Sequence, residues 1–443
     1  MKKHFLICLL VFLHLVTCDS KKEGADQPTA PVTVRIEKNN DRFNLTLDGN
    51  PYFIKGARTL GTRYIDKVAE YGGNAVRIGY GDKVKEVMDS AYSLGLTVLF
   101  GLPVQAERNG FNYSDQTAVT EQFDRMKEIV QTYKDHPALL MWAIGNELDH
   151  IPGDLDYDLN MWNSVNDIAV MIHQVDGYHP AMAVVGRGKN EKMKDIMERC
   201  TDVDLLGINA YADLWEIPDW LREYSWDKPY AVTEWGPSGH WQVPRTKWGV
   251  VIEETSTEKA RVYKERYEKV IGADPWCVGS YVFLWTSNRQ ERTHTWYNMF
   301  HDDGSEKEAV EVMQYEWSGI WPENRAPRID SLQIDGMNAL DNIDVAAETV
   351  HYARVYTRDP DNETLTIHWE LVPENKKFGA YAGQGETKPP AVQGAIVEKK
   401  EGGILVQFKA PSEKGANFRM FVYVKDGDNN VAVANIPFHV RDE

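Results

Sequence analysis

Positive charge is in short supply in this chain. Its 49 lysines and arginines face 67 aspartates and glutamates, a net charge of −18. Phosphate recognition needs clustered basic side chains, so this balance argues against nucleic acid as a partner. It names no ligand, because an acidic surface ordinarily serves solubility. Metal-ligand patterns are missing too. No His-x-x-x-His and no clustered Asp/His set falls at a strand end, and neither a metal nor a cofactor is expected. The first predicted strand is not followed by a Gly-rich phosphate loop, which counts against a doubly wound nucleotide-binding sheet. Cysteine is rare, with four in 443 residues. Cys8 and Cys18 belong to the N-terminal segment, leaving Cys200 and Cys277. Their spacing fits no metal motif; they can pair or stay reduced, and the role of small buried hydrophobes suits both.

Long apolar runs are also lacking. The stretch from Phe5 to Val16, preceded by Lys2-Lys3, is too short to span a bilayer as a mature helix and reads as a secretion signal. It ends Leu15-Val16-Thr17-Cys18, which resembles a bacterial lipobox, with Thr17 where Gly, Ala or Ser is usual. Such a site implies export as a lipoprotein, held at the outer membrane, cell surface or periplasm through a lipid on Cys18. Residues 1–18 are then a lipoprotein-type signal peptide and 19–31 a polar linker.

What the chain has is a rhythm. Residues 32–36 and 42–47 alternate with period 2 around Asn39-Asn40, predicting a hairpin. Strand candidates follow at 52–58, 74–80, 97–103, 139–147, 181–186, 203–209, 230–234 and 279–285. Amphipathic helical stretches such as 120–133 and 160–175 lie between them. Eight strands alternating with helices over some 240 residues predict a (β/α)8 TIM barrel, assigned with its hairpin to residues 32–320. After a Pro-marked linker, short alternating runs at 331–334, 350–356, 364–371, 404–409, 419–424 and 431–440 predict a C-terminal all-β immunoglobulin/fibronectin-like sandwich over 328–443. Its acidic turns at 359–362 and 425–429 read as ordinary turn chemistry more readily than as a calcium site. The Gly- and Pro-rich stretch 376–393 reads as a long loop.

Two glutamates carry the chemistry. Glu147 closes the run Leu139-Leu140-Met141-Trp142-Ala143-Ile144-Gly145-Asn146-Glu147, and Glu234 closes Pro229-Tyr230-Ala231-Val232-Thr233-Glu234. Each is expected at the C-terminal end of a buried parallel strand, where barrels build their active sites. Paired carboxylates on separate strands point to glycoside hydrolysis. The same rim receives Arg77 after strand two, Asn209 and Tyr211 after strand six, Trp235 beside Glu234, and Trp285 after strand eight. Gly-Asn-Glu after strand four, a second Glu after strand seven, an Arg after strand two and a Trp after strand eight resemble the clan A glycoside hydrolases. The barrel motifs are especially similar to the catalytic domain of family 2. The barrel-then-sandwich layout resembles the family 158 bacterial endo-β-1,3-glucanases.

The resemblance implies a retaining double displacement, with Glu234 as nucleophile and Glu147 as acid/base, and carboxyls about 5–5.5 Å apart. Arg77 and the Tyr211 hydroxyl would keep the nucleophile charged. Apolar surroundings and the second carboxylate would raise the pKa of the acid. Asn146 would bind the sugar 2-hydroxyl, and Trp285 would floor the reacting subsite. Asn209, Trp235 and His240 complete the substrate-binding set, although His240 serves equally well as a structural hydrogen-bonding residue. A poly- or oligosaccharide is the expected partner, with a β-glucan as the expected substrate. A family 2 enzyme usually carries domains ahead of its barrel that this chain replaces with a hairpin. That departure favours an open cleft over an exo-acting β-galactosidase or glucuronidase-like enzyme. A β-glucan transglycosylase would use the same two glutamates, and a non-catalytic surface glycan-binding lipoprotein would ordinarily have lost one of them.

Overall fold

The computed structural model describes residues 31–442, apart from 82, 151–156, 187–191 and 376–385. The lipobox with Cys18, and most of the stretch 376–393, lie outside the described residues. A three-stranded antiparallel sheet comes first, formed by β1 (Val34–Asn39), β2 (Arg42–Leu47) and β3 (Asn50–Tyr52). Eight parallel strands then close the expected barrel: β4 (Ile54–Arg58), β5 (Ala75–Gly79), β6 (Thr97–Leu102), β7 (Leu139–Ile144), β8 (Ala181–Gly186), β9 (Leu205–Asn209), β10 (Tyr230–Trp235) and β11 (Cys277–Val282). The helices α1 (Ile65–Glu70), α2 (Val84–Ser93), α3 (Gln116–Tyr133), α4 (Asn160–Val175), α5 (Lys192–Arg199), α6 (Ile217–Glu223), α7 (Ser256–Arg266) and α8 (Glu308–Ser318) follow the strands one for one.

Side-chain alternation along the strands explains the closure. Ile54, Ala75, Leu99, Met141, Ala143, Met182, Val184, Leu205, Ala231 and Tyr281 face the lumen and pack onto Val34, Phe43 and Leu45 of the N-terminal sheet, which plugs the bottom. Their neighbours Ala57, Val76, Phe100, Trp142, Ala183, Ile208, Val232 and Val282 face outward and bury the apolar stripes of the helices. The lumen is filled rather than open: a Cβ on Gly56 would stand 2.4 Å from the Tyr281 ring. Cys200 and Cys277 are buried free thiols, and burial raises both pKa values to about 12.

Strands β12 (Arg328–Ile334), β13 (Asp344–Val345), β14 (Val350–Arg358), β15 (Thr366–Pro373), β16 (Ile396–Lys400), β17 (Leu405–Lys409), β18 (Asn417–Lys425) and β19 (Val431–Val440) form two four-stranded sheets, β12-β14-β17-β16 and β13-β19-β18-β15. Trp369, Phe408, Phe418, Met420 and Phe438 fill the space between them. Two of these strands carry little sequence signal, since β13 has two residues and β16 reads Ile-Val-Glu-Lys-Lys. In the acidic turns, Asp359 accepts from the Asp361 and Glu363 amides, and Asp426 from those of Asp428 and Asn430.

The β18/β19 sheet docks on the barrel loops that follow β10 and β11 through a buried polar knot. Glu253 accepts from Lys259 Nζ at 2.5 Å, Thr293 Oγ1 at 2.6 Å, Thr295 Oγ1 at 2.8 Å and Asn435 Nδ2 at 2.7 Å. Arg419 donates to Asn435 Oδ1 at 2.5 Å and to the Val251 carbonyl at 2.9 Å. Burial alone would raise the Glu253 pKa, but Lys259, Arg419 and these hydrogen bonds hold it at about 2, below its ordinary 4.5. Because the folded value is the lower one, the contribution of Glu253 to stability is complete above pH 4.5 and is lost as pH falls toward 2. At neutral pH, Glu253→Gln leaves the Lys259 charge buried without its counter-ion and should cost about 3–5 kcal/mol. Urea unfolding at pH 7 measures this; a variant as stable as the wild type would mean that the knot does not anchor the sandwich.

Candidate active site

Arg77, the lumen-facing residue at the third position of β5, organises the top of the barrel. It is buried and bonds to acceptors on three other strand ends. Its Nη1 donates to Glu234 Oε1 at 2.9 Å, the Thr233 carbonyl at 2.9 Å and Asn209 Oδ1 at 3.4 Å, and its Nη2 to Asn146 Oδ1 at 2.6 Å. Asn209 Nδ2 in turn donates to Glu147 Oε1 at 2.9 Å and Asn146 Oδ1 at 3.1 Å, while Thr233 Oγ1 donates to Asn209 Oδ1 at 2.8 Å. One continuous network therefore joins Glu147 and Glu234. The Oδ1 of Asn146 is occupied twice within it, and its Nδ2 has no partner among the described residues.

Both glutamates owe their aim to departures from regular strand geometry. The ladder of β10 shifts register between Val232 and Trp235, as a β-bulge does. The bulge lets Thr233 and Glu234 both turn inward and sends Trp235 outward. β7 ends at Ile144, three residues earlier than the sequence suggested. Gly145 then adopts φ 69° and Glu147 φ 47°. A left-handed glutamate carries about 1–3 kcal/mol of strain, which the surroundings must hold in place. They do so: the Glu147 amide donates to the Val184 carbonyl at 3.0 Å, and Arg108 grips the carbonyls of Asn146, Glu147 and His150. Gly186 makes room for the carboxyl, since a Cβ there would stand 3.3 Å from Glu147 Oε1.

Burial, then the charge of Glu234, raises the Glu147 pKa to about 7 from the ordinary 4.5. A carboxyl protonated near neutrality thus stands in one network with a second that is paired to arginine. That pairing of an acid and a carboxylate is what acid-assisted displacement requires. A second arginine, Arg58, ends β4 in register with Arg77. It donates to the Thr59 carbonyl at 2.6 Å and the Arg77 carbonyl at 3.2 Å. Burial and then the neighbouring Arg77 charge lower its pKa to about 10. Among the described residues no carboxylate forms an ion pair with it. Arg289 follows β11, lies over the Phe283 ring at 5.6 Å and pairs with Glu291 at 2.8 Å.

The sequence-derived set divides. Glu147, Glu234, Arg77, Asn146 and Asn209 meet in the network. Tyr211 lies beside it, its ring against Phe283 at 6.1 Å and Tyr297 at 5.6 Å. Burial foremost and then the Glu234 charge raise its hydroxyl pKa. Trp285 is a correction. It lies beyond the end of β11, faces outward, and is buried against Phe300 and Trp317 with its Nε1 donating to the Tyr64 carbonyl at 2.8 Å. It therefore cannot floor a subsite, and Phe283 stands at the lumen end of that strand instead. Trp235 is a second correction, buried against Tyr263 and Tyr267 of the outer layer. His240, for which the sequence allowed a sugar contact or a structural role equally, is buried with its ring edge-on to Trp241 at 4.9 Å, an arrangement that suits the structural role. Arg58 was missed although the rule that selected Arg77 selects it. Nothing in the sequence marks Arg108, which acts from the loop after β6. Among the described residues no group of three or more His, Cys, Asp or Glu is placed to hold a metal ion.

The sequence model described as “Glycosyl hydrolases family 2, TIM barrel domain” matches residues 70–330. Among solved structures, the chain is similar to Bacteroides uniformis beta-glucuronidase 2 covalently bound to cyclophellitol-6-carboxylate aziridine. The TM-score is 0.51 and the identity 14%, over 92% of this chain and 48% of that one. It is also similar to an uncultured Clostridium sp. beta-glucuronidase, with TM-score 0.50 and 17% identity over 65% of this chain and 54% of the other. No curated protein matches the chain. The chain spans about half the length of these solved structures, and at such identities the likeness is one of fold.

The raised pKa of Glu147 is open to direct measurement. In carboxyl-labelled protein its titration is expected to centre near pH 7, and Glu234→Gln should move the midpoint downward by removing a neighbouring negative charge. An unchanged midpoint in that variant would mean that the two carboxyls do not sense each other.

Proposed function

The chain belongs to glycosyl hydrolase family 2 through its barrel domain, and on that premise we propose that it is a retaining β-glycoside hydrolase acting on a β-linked glycan. The observation that carries the proposal is the single hydrogen-bond network through which Arg77 and Asn209 hold Glu234 and Glu147 together. In this reaction Glu147 enters protonated and gives its proton to the glycosidic oxygen as Glu234 attacks the anomeric carbon. The bond to the leaving group breaks and a glycosyl ester forms on Glu234. Esterification removes the negative charge that helped to raise the Glu147 pKa, so Glu147 becomes a better acid and, once deprotonated, takes a proton from water. That water opens the ester, and the sugar leaves with its original anomeric configuration. Arg77 balances the Glu234 carboxylate before attack and after release. The Nδ2 of Asn146, which has no partner among the described residues, is suited to donate to the sugar 2-hydroxyl oxygen and so to hold the ring in place against Glu234.

The two-domain layout alone pointed to a β-1,3-glucan, and no side chain at the site favours that sugar. Arg58 supports the alternative, a glucuronidase-like enzyme. A half-buried guanidinium that forms no ion pair with a carboxylate among the described residues, one strand from the nucleophile's own arginine, is suited to an anionic substituent such as a sugar carboxylate. We therefore read the substrate as a β-linked glycan whose reacting sugar is acidic.

A panel of aryl β-glycosides, neutral and acidic, tests both levels. Glu147→Gln and Glu234→Gln are each expected to lose about three orders of magnitude or more in kcat, and the first-formed sugar, followed by proton NMR, should be the β-anomer. Arg58→Gln should lower kcat/KM on a β-uronide at least about tenfold more than on the matching β-glucoside. Inverted product or an active Glu234→Gln would overturn the retaining mechanism, and equal losses on both sugars would overturn the acidic substrate. For the N-terminus we propose export and lipidation at Cys18. Labelled palmitate is expected to enter the wild type in a bacterial host and to be absent from Cys18→Ser; label persisting in that variant would exclude this anchor.

A further inference from the structure

Two tryptophans of the loops after β9 and β10 are exposed, Trp215 at 41% and Trp241 at 53%, and Trp241 is the one that stands against Tyr211. The structure buries Trp142, Trp162, Trp235, Trp285 and Trp296 completely or nearly so, yet leaves Trp241 53% exposed. It stands edge-on to Tyr211 at 5.5 Å, and the Tyr211 hydroxyl feels the charges of both Glu234 and Glu147. The indole is thus one ring outward from the reacting position, with apolar surface open to solvent. Its mount is rigid. A Cβ on Gly239 would lie 2.6 Å from the indole, so the loop backbone passes directly beneath it. Gln242 Oε1 accepts from the Gly239 and Ala212 amides, both at 3.0 Å, which ties this loop to the one after β9.

Beneath Trp241, His240 lies between residues of the loop after β11. Arg292 Nε approaches His240 Nδ1 at 3.5 Å, and Glu291 Oε1 lies 3.6 Å from its Nε2. The sandwich fixes that loop. Glu386, a buried residue of the segment between β15 and β16, accepts the Arg292 backbone N–H at 2.6 Å. The Glu253 knot holds Thr293 and Thr295 from the same side. A line of contacts therefore runs from the sandwich through Arg292 and His240 to the exposed indole.

We infer that Trp241 is a sugar-stacking platform for the ring adjoining the reacting one, and that Glu386 of the sandwich is a positioning residue for it. The inference rests on the glycosidase reading. A flat, preset aromatic face suits the apolar C–H face of a pyranose, and holding the indole still lowers the entropy lost when the sugar stacks. The sandwich would thereby set preference for chain length while leaving the bond-breaking groups untouched.

The test compares substrates with and without a neighbouring sugar. Wild type, Trp241→Ala, Glu386→Ala and Glu386→Gln are assayed on a β-glycosyl fluoride, whose leaving group is one atom, and on a β-linked tetrasaccharide of the same sugar. Trp241→Ala is expected to raise KM for the tetrasaccharide about tenfold, with kcat within about twofold and the fluoride kinetics unchanged. Glu386→Ala should shift the same KM by about threefold or more, and Glu386→Gln, whose carbonyl oxygen still accepts the Arg292 amide, should restore it. An unchanged tetrasaccharide KM in Trp241→Ala, or equal losses on both substrates, would overturn the platform. Failure of rescue by Glu386→Gln would overturn the positioning role.

If the wild type hydrolyses neither substrate, the glycosidase reading fails on its own. The platform is then tested by tryptophan fluorescence with cellotetraose, laminaritetraose and an aldouronic tetrasaccharide. Saturable quenching that disappears in Trp241→Ala supports it, and quenching unaffected by that change, or none with any of the three, overturns it.

Discussion

The contact on which the site depends is the buried guanidinium of Arg77. Removing a full charge from water is costly unless hydrogen bonds and an opposite charge replace the solvent. Arg77 receives both, from Glu234, the Thr233 carbonyl, Asn209 and Asn146. Those partners belong to β9, β10 and the turn after β7, so satisfying one side chain forces three separate parts of the barrel rim into a single arrangement. The two carboxyls inherit their difference from it. Glu234 pairs with the guanidinium directly, whereas the Glu147 carboxyl accepts from the amide of Asn209 and has its pKa raised by burial and by the charge of Glu234.

The backbone supplies what side-chain choice alone does not. Regular alternation would have turned either Thr233 or Glu234 out of the lumen, and the network needs both. The register shift in β10 resolves that conflict. At β7 the solution is different: the strand stops, Gly145 and Glu147 take left-handed conformations, and Arg108 gathers the loop carbonyls. Lumen-facing glycines do the remaining work. Gly186 leaves the space into which the Glu147 carboxyl leans, and Gly79 lies alongside the Arg58 guanidinium. Glu147 thus combines a left-handed backbone with cleared space beside its carboxyl, a geometry imposed by the fold around it.

This explains how far the sequence could be read. The barrel was legible because buried parallel strands alternate with amphipathic helices, and that pattern repeats eight times. Glu147, Glu234, Arg77, Asn146 and Asn209 were legible because each is a polar residue at the end of an apolar run, where burial without a purpose would be costly. The same rule overreached with Trp235 and Trp285. An aromatic at a strand end can face either side, and the choice turns on a bulge or an early strand end, for which residue types give no signal. Arg58 was overlooked although it stands toward the end of its strand as Arg77 does, and Arg108 because its contacts are to backbone carbonyls far away in sequence. The strands β13 and β16 escaped notice because they are short or charged, and tertiary pairing rather than local pattern makes them strands.

The two domains divide the work along physical lines. In the proposed reaction, bond cleavage depends on groups fixed by strand ends and lumen packing of the barrel. Recognition beyond the reacting sugar would, in the same proposed reaction, fall to the loops after β10 and β11, and loops hold their shape only where something braces them. Here the brace is the sandwich, whose Arg419, Asn435 and Glu386 reach the Val251 carbonyl, Glu253 and the Arg292 amide. A buried polar contact of this kind is well suited to the task. Apolar surfaces tolerate sliding, whereas a knot of directional hydrogen bonds around a buried carboxylate satisfies its partners in one register only. The same feature that makes the interface costly to disrupt therefore fixes where the rim aromatics stand relative to the two glutamates.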